Sequence, residues 1–153
     1  MDVPSIKRTT VVVQDIDRAR AFYRDVLGMK VWFDREYVMT GEGMPGSKRG
    51  DRTHLVIMEA QDPRIGKIGL LEFKEPRRPV PPPRDAIGPG SVIFVGDMAD
   101  VDALNERLVA AGARITAPPH LFEVTGADGQ ILRLRRVCFF DPDGHFFEMN
   151  QPA

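Results

Sequence analysis

The two halves of this 153-residue chain repeat one order of elements, and that repetition restricts the fold more than any other feature. Each half reads strand, aspartate, amphipathic helix, glycine, then three strands with a late glutamate. The markers are Asp15, Gly28 and Glu72 in the first half and Asp97, Gly112 and Glu148 in the second. A single βαβββ unit does not easily bury both faces of its short sheet, and pairing two units around a shared cavity solves that problem. The expected fold class is therefore α+β: two βαβββ modules forming a curved mixed sheet around a cavity. One domain spans residues 1–153, built of modules 5–75 and 90–150. A proline-rich linker, 76–89, joins them, because PRRPVPPPRDAIGP enters neither a helix nor a central strand.

Local signals support each element. Ile6–Val13 carries a β-branched block, and Asp15 caps a helix over Ile16–Leu27. Ile16, Ala19, Phe22, Tyr23, Val26 and Leu27 fall on one helical face, which makes Phe22 and Tyr23 core residues. Strands are expected at Met29–Phe33, His54–Glu59 and Ile68–Phe73. Residues 40–53 form a long, glycine-rich and charged loop, either a lid or, preferably, a mobile excursion. In the second half Ser91–Val95 opens as a strand. Asp97 starts a helix burying Met98, Val101, Leu104, Leu108 and Ala111. Strands follow at Ala113–Thr116, continuing irregularly through Phe122–Thr125, then at Ile131–Phe140 and at the C-terminal end.

Charge excludes some functions. Twenty-one basic and 22 acidic residues nearly cancel, which argues against a nucleic-acid partner. No stretch is long and apolar enough to cross a membrane, and the N-terminus lacks a signal peptide's apolar run. A cytoplasmic location is expected. Cys138 is the single cysteine and reads as a buried structural thiol.

The segment Arg136–Asn150, RVCFFDPDGHFFEMN, is two strands around an Asp-Pro-Asp-Gly turn. Strand alternation puts Phe146, Glu148 and Asn150 on one face and His145, Phe147 and Met149 on the other. A carboxylate among phenylalanines needs a cation, a donor or water. Matching places for Glu72 and Glu148 make a pocket the favoured setting for both.

Two motifs carry a family resemblance over nearly the whole chain. They are Asp-x(2)-Arg-Ala-x-Ala-Phe-Tyr-Arg-Asp-Val-Leu-Gly-Met at Asp15–Met29 and Phe-Asp-Pro-Asp-Gly-His-x-x-Glu-Met at Phe140–Met149. Together they resemble the vicinal oxygen chelate superfamily, which holds glyoxalases, bleomycin resistance proteins and extradiol dioxygenases. The resemblance implies paired βαβββ modules, a homodimer and a small-molecule ligand. It also implies an open metal site whose four ligands come from the first and last strands of each module. Carried over by position, the metal-ligand candidates are Glu72 and Glu148. The two opening-strand positions, normally histidines, hold Arg8 and Ser91, which become substrate-binding candidates.

That departure shapes the expected chemistry. Arginine is a donor only and cannot ligate a metal. Beside two carboxylates it would replace the cation, so Arg8, Glu72, Ser91 and Glu148 are expected to converge in one pocket, with Arg8 touching an acid. The expected cofactor is none, or a weakly bound divalent metal ion. His54 and His120 are acid/base candidates, and His145 covers the outside of the sheet. Trp32, Phe33 and Tyr37 either line a pocket mouth or pack within a strand. Two classes of function stay open: a glyoxalase- or dioxygenase-type enzyme acting on a small oxygenated metabolite, and a metal-free small-molecule binding or resistance protein.

Overall fold

The computed structural model describes residues 3–83 and 86–152. Two compact units divide at Pro82/Pro83, inside the proline-rich segment. The first runs β1 (Arg8–Val12), α1 (Ile16–Ala21), β2 (Lys30–Val38), β3 (Arg52–Glu59) and β4 (Lys67–Glu75). The second runs β5 (Ile93–Asp97), α2 (Val101–Ala110), β6 (Arg114–Thr125), β7 (Ile131–Phe140) and β8 (Phe146–Pro152).

Each unit is a four-stranded mixed sheet with the same topology. The orders are β1-β4-β3-β2 and β5-β8-β7-β6. The opening strand runs parallel to the closing strand, and the other pairs are antiparallel. The expected pair of βαβββ modules is therefore what forms.

Helix α1 starts at Asp15, whose side chain accepts from Arg18 N. Its α turns end at Ala21, and Phe22–Val26 continues as a wider π turn, with Leu27 N donating to Phe22 O at 3.3 Å. Gly28, at φ 75°, ends the element where a side chain would be strained. Ile16, Ala19 and Tyr23 are buried against one face of the first sheet, beside Val56, Met58 and Leu70. In the second unit Val101, Leu104 and Leu108 of α2 are buried, as are Val137, Phe139 and Phe147 of the sheet. Phe147 stacks on both Phe94 and Phe139. Met98 is only part-buried and Ala111 is exposed, because α2 begins at Asp100 rather than Asp97. Asp100 accepts from Ala103 N, so the expected cap lies three residues too early.

Several strands outrun the expectation. β2 continues to Val38 and β4 to Glu75. β6 runs unbroken through Pro118-Pro119, with register shifts on either side of Ala117. Prolines are tolerated there because β6 is an edge strand.

Candidate functional site

Helix α1 covers one face of the first sheet and leaves the other open. On the open face β1 presents Arg8 and Thr10, β4 presents Lys67 and Gly69, and β3 presents Ile57, as cross-strand registry requires. Together with Trp32 of β2 these residues line a cavity of about 860 Å³. Ser5, Ile6, Lys7, Pro63 and Arg64 complete it. Trp32 is 58% exposed, and Lys67 Nζ lies 5.3 Å from the centre of its ring. Phe33 stacks on Tyr37 and lies tilted against Trp32. Gly69 fits because it lacks a side chain. A Cβ there would meet Thr10 Oγ1 at 2.5 Å and Arg8 Cδ at 3.2 Å, so the shaft of Arg8 lies over the glycine.

Glu72 is not in this cavity, which corrects the expectation that it joins Arg8. It stands three residues beyond Gly69 in an unbroken strand, hence on the helix-covered face. Its carboxylate, 2% exposed as a residue, accepts from Ile16 N at 3.0 Å and pairs with Lys74 Nζ at 3.0 Å. Glu72 thus satisfies an orphan donor in the first turn of α1.

Ser91 also departs from its expected place. It precedes β5, in a turn where its backbone N–H donates to Gly88 O and its Oγ accepts from Gly88 N. The residue that opens β5, as Arg8 opens β1, is Ile93. Asp100 follows Ile93 by seven residues, the same step that separates Asp15 from Arg8. Pairing in the closing strands then matches Thr10–Gly69 with Val95–Glu148. So Glu148 corresponds to Gly69, and Glu72 corresponds to Gln151. The hydrogen bonds agree: Gln151 Oε1 accepts from Val101 N at 3.0 Å, just as Glu72 accepts from Ile16 N.

Glu148 lies on the open face of the second sheet, beside Cys138 and Val95. Arg136 Nη1 is 3.5 Å from its Oε2, and Asn150 Nδ2 donates to its Oε1 at 3.4 Å. The Arg136 guanidinium also lies 3.7 Å from the centre of the Phe122 ring and 3.4 Å from His120 Nε2. His120 Nδ1 lies 2.8 Å from Pro118 O, which fixes the proton on Nδ1 and leaves Nε2 as acceptor. Arg136 Nε and Asn150 Oδ1 are buried without a hydrogen bond among the described residues. Sequence reasoning missed Arg136; its place opposite His120 and Asn150 emerges only from register. Burial pushes the Cys138 thiol up, as suits a structural cysteine.

The remaining histidines serve local structure. His54 Nε2 lies 2.5 Å from Asp34 Oδ1 on the helix-covered face, and Arg20 of α1 binds the same carboxylate at 2.7 Å. These partners hold the Asp34 carboxyl below its ordinary range. His145 lies just before β8. It closes the Asp141–Gly144 turn, with Asp141 accepting from both its backbone and its Nδ1. The long loop is clasped rather than free. Buried Asp51 accepts from Lys48 N, and Arg78 bonds Asp51 Oδ2 and Gly46 O while covering the Phe73 ring.

The model of the Glyoxalase/Bleomycin resistance protein/Dioxygenase superfamily matches residues 5–149. The chain belongs to that superfamily. A glyoxalase family protein from Bacillus cereus has a similar structure, with TM-score 0.79 and 16% identity, covering 100% of this chain and 97% of that one. The trypanothione-dependent glyoxalase I of Leishmania major gives 0.62 and 19%, covering 97% and 87%. TnmS3, an antibiotic binding protein from Streptomyces sp. CB03234, gives 0.61 and 21%, covering 100% and 99%. No curated protein sequence matches the chain.

Membership in this superfamily sharpens the metal question. The opening- and closing-strand positions that register matches are Arg8, Gly69, Ile93 and Glu148. Only one of these, Glu148, is a metal-ligating side chain, and Arg136 already holds it. Among the described residues no group of three or more His, Cys, Asp or Glu is placed to hold a metal ion. This donor set does not fit a catalytic divalent ion, which needs about three protein ligands.

Proposed function

We propose that this superfamily member is a metal-independent small-molecule binding protein, seated on the open face of the first sheet. One observation carries the reading. Where the second unit has Glu148, the first has Gly69 with Arg8 lying over it, so a guanidinium replaces the ligand chemistry. The cavity's size suits a drug-sized ligand, and its mix of an indole and aliphatic groups with cationic and hydroxyl side chains suits retention of an organic molecule. TnmS3, whose fold is similar, is an antibiotic binding protein, which supports the same use here.

The test uses 8-anilinonaphthalene-1-sulfonate and the single tryptophan, Trp32, as reporters. Saturable one-to-one binding in excess EDTA, unchanged by zinc, manganese or nickel, is expected. Arg8→His is expected to gain no tight metal site, since Glu72 lies on the opposite face of the sheet. Binding that appears only with metal, or stoichiometric tight metal in the unmodified protein, overturns the reading.

A homodimer is part of this proposal. Val12, Ile93 and Val95 on the two parallel edge strands are exposed and apolar, and such edges need cover. Sedimentation giving only 17.1 kDa counts against it.

The second reading, a glyoxalase-type enzyme, draws on His120, whose acceptor Nε2 stands beside Arg136 and near Glu148. Its test is turnover of a hemithioacetal that His120→Gln abolishes.

A further inference from the structure

We propose that the ligand of the first-unit cavity is an organic anion, a carboxylate or phosphate ester carried on a flat apolar body. This rests on the reading of that cavity as a metal-independent binding site. The chain as a whole carries a net charge of -1, yet the cavity is lined by Lys7, Arg8, Arg64 and Lys67 and by no acid. Concentrating one sign of charge in a concave site raises the local concentration of the opposite ion.

Part of this charge is already answered. Lys67 is 3.6 Å from Glu59 and donates to Pro63 O, and Arg64 is 3.4 Å from Asp62. Arg8 and Lys7 line the cavity and have no ion pair among the described residues. Arg8 is exposed with its Cδ over Gly69, and the planar fork of a guanidinium matches the two oxygens of a carboxylate or phosphate. Thr10 and Ser5 add hydroxyl donors to the lining. Trp32 of β2, at the other edge of the sheet from Arg8 of β1, adds a large exposed indole, and Ile57, Ile6 and Pro63 add apolar lining. An exposed tryptophan flanked by a lysine offers a stacking surface, not a solvated polar wall. The two halves of the cavity therefore select the two halves of one ligand: an anionic group at Arg8 and a planar apolar group at Trp32.

Three probes separate the possibilities, read by quenching of Trp32 emission and by calorimetry in excess EDTA. They are 4-nitrobenzoate, 4-nitrophenyl phosphate and the neutral 4-nitrobenzyl alcohol. Both anions are expected to bind at least about tenfold more tightly than the alcohol, the scale of one charge-assisted hydrogen bond. The stronger of the two identifies carboxylate or phosphate as the source. Added salt weakens the anions and leaves the alcohol unchanged. Arg8→Gln and Lys7→Gln remove most of the anion preference while circular dichroism and Tm stay as in the parent. If the alcohol binds as well as the anions, or Arg8→Gln changes nothing, the anion assignment is overturned and the binding reading stands. If none of the three probes, nor the anilinonaphthalene dye, quenches Trp32, both are overturned.

Discussion

The two units share a backbone plan and differ in what they display on it. Both fasten the first turn of their helix with the closing strand, through Glu72 in one and Gln151 in the other. Both pin the residue after the opening strand in the same way, Val13 N to Leu71 O and Met98 N to Asn150 O. Their open faces are chemically opposite. The first lines its cavity with Lys7, Arg8, Arg64 and Lys67 around an indole, whereas the second ties its arginine to Glu148, His120 and the Phe122 ring. Topology is thus repeated where it builds the helix–sheet core and diverges where the sheet is free to meet a ligand. The same guanidinium group is a structural tie in one unit and an available donor in the other.

The helix fastenings give the largest test of that comparison. Glu72→Ala leaves Ile16 N and Lys74 without their buried partner and is expected to cost about 3 kcal/mol in urea unfolding. Gln151→Ala, which removes a neutral acceptor, is expected to cost about 1 kcal/mol. Glu72→Gln makes the first unit resemble the second and is expected to fall between them. Equal costs for the two alanine variants would remove the claim that the charge on Glu72 matters.

Gly69→Ala comes next. Its new methyl collides with Thr10, so about 2 kcal/mol of destabilisation is expected. Thr10→Ala should relieve much of it, and simple additivity in the double-mutant cycle would show that the crowding is elsewhere. Arg78→Ala opens the clasp on Asp51 at a cost of about 1 to 2 kcal/mol. Hydrogen exchange should then quicken in residues 40–50 and not in the second unit.

The smallest effect is electrostatic. The Asp34 carboxyl is lowered chiefly by His54 and also by Arg20, so its stabilisation is present above the ordinary aspartate pKa of about 3.9. It is lost as pH falls through the depressed folded value. Asp34→Asn should therefore lower Tm at pH 5, with the gap to the parent closing on acidification. A gap that persists at the acid end would show that packing, not charge, sets it.

The sequence by itself determined the fold. Asp15, the amphipathic run to Leu27, Gly28 and their echo in the second half are local signals, and local backbone preference and helical period suffice to read them. It also determined that Phe22, Tyr23 and Cys138 are buried, since each sits in an apolar pattern whose period is unambiguous. The site was less legible. Counting along the chain matched Glu72 with Glu148, but an aspartate-rich segment hid the true cap at Asp100, and one odd step in a strand exchanges its two faces. Only the pairing of β1 with β4 and β5 with β8 showed that Glu72 answers to Gln151 and Gly69 to Glu148. The clasp between Arg78 and Asp51 and the joining of His120, Arg136 and Glu148 were equally out of reach. Their partners lie on different elements, and which side chains meet across elements is fixed by strand registry and packing rather than by spacing in the chain.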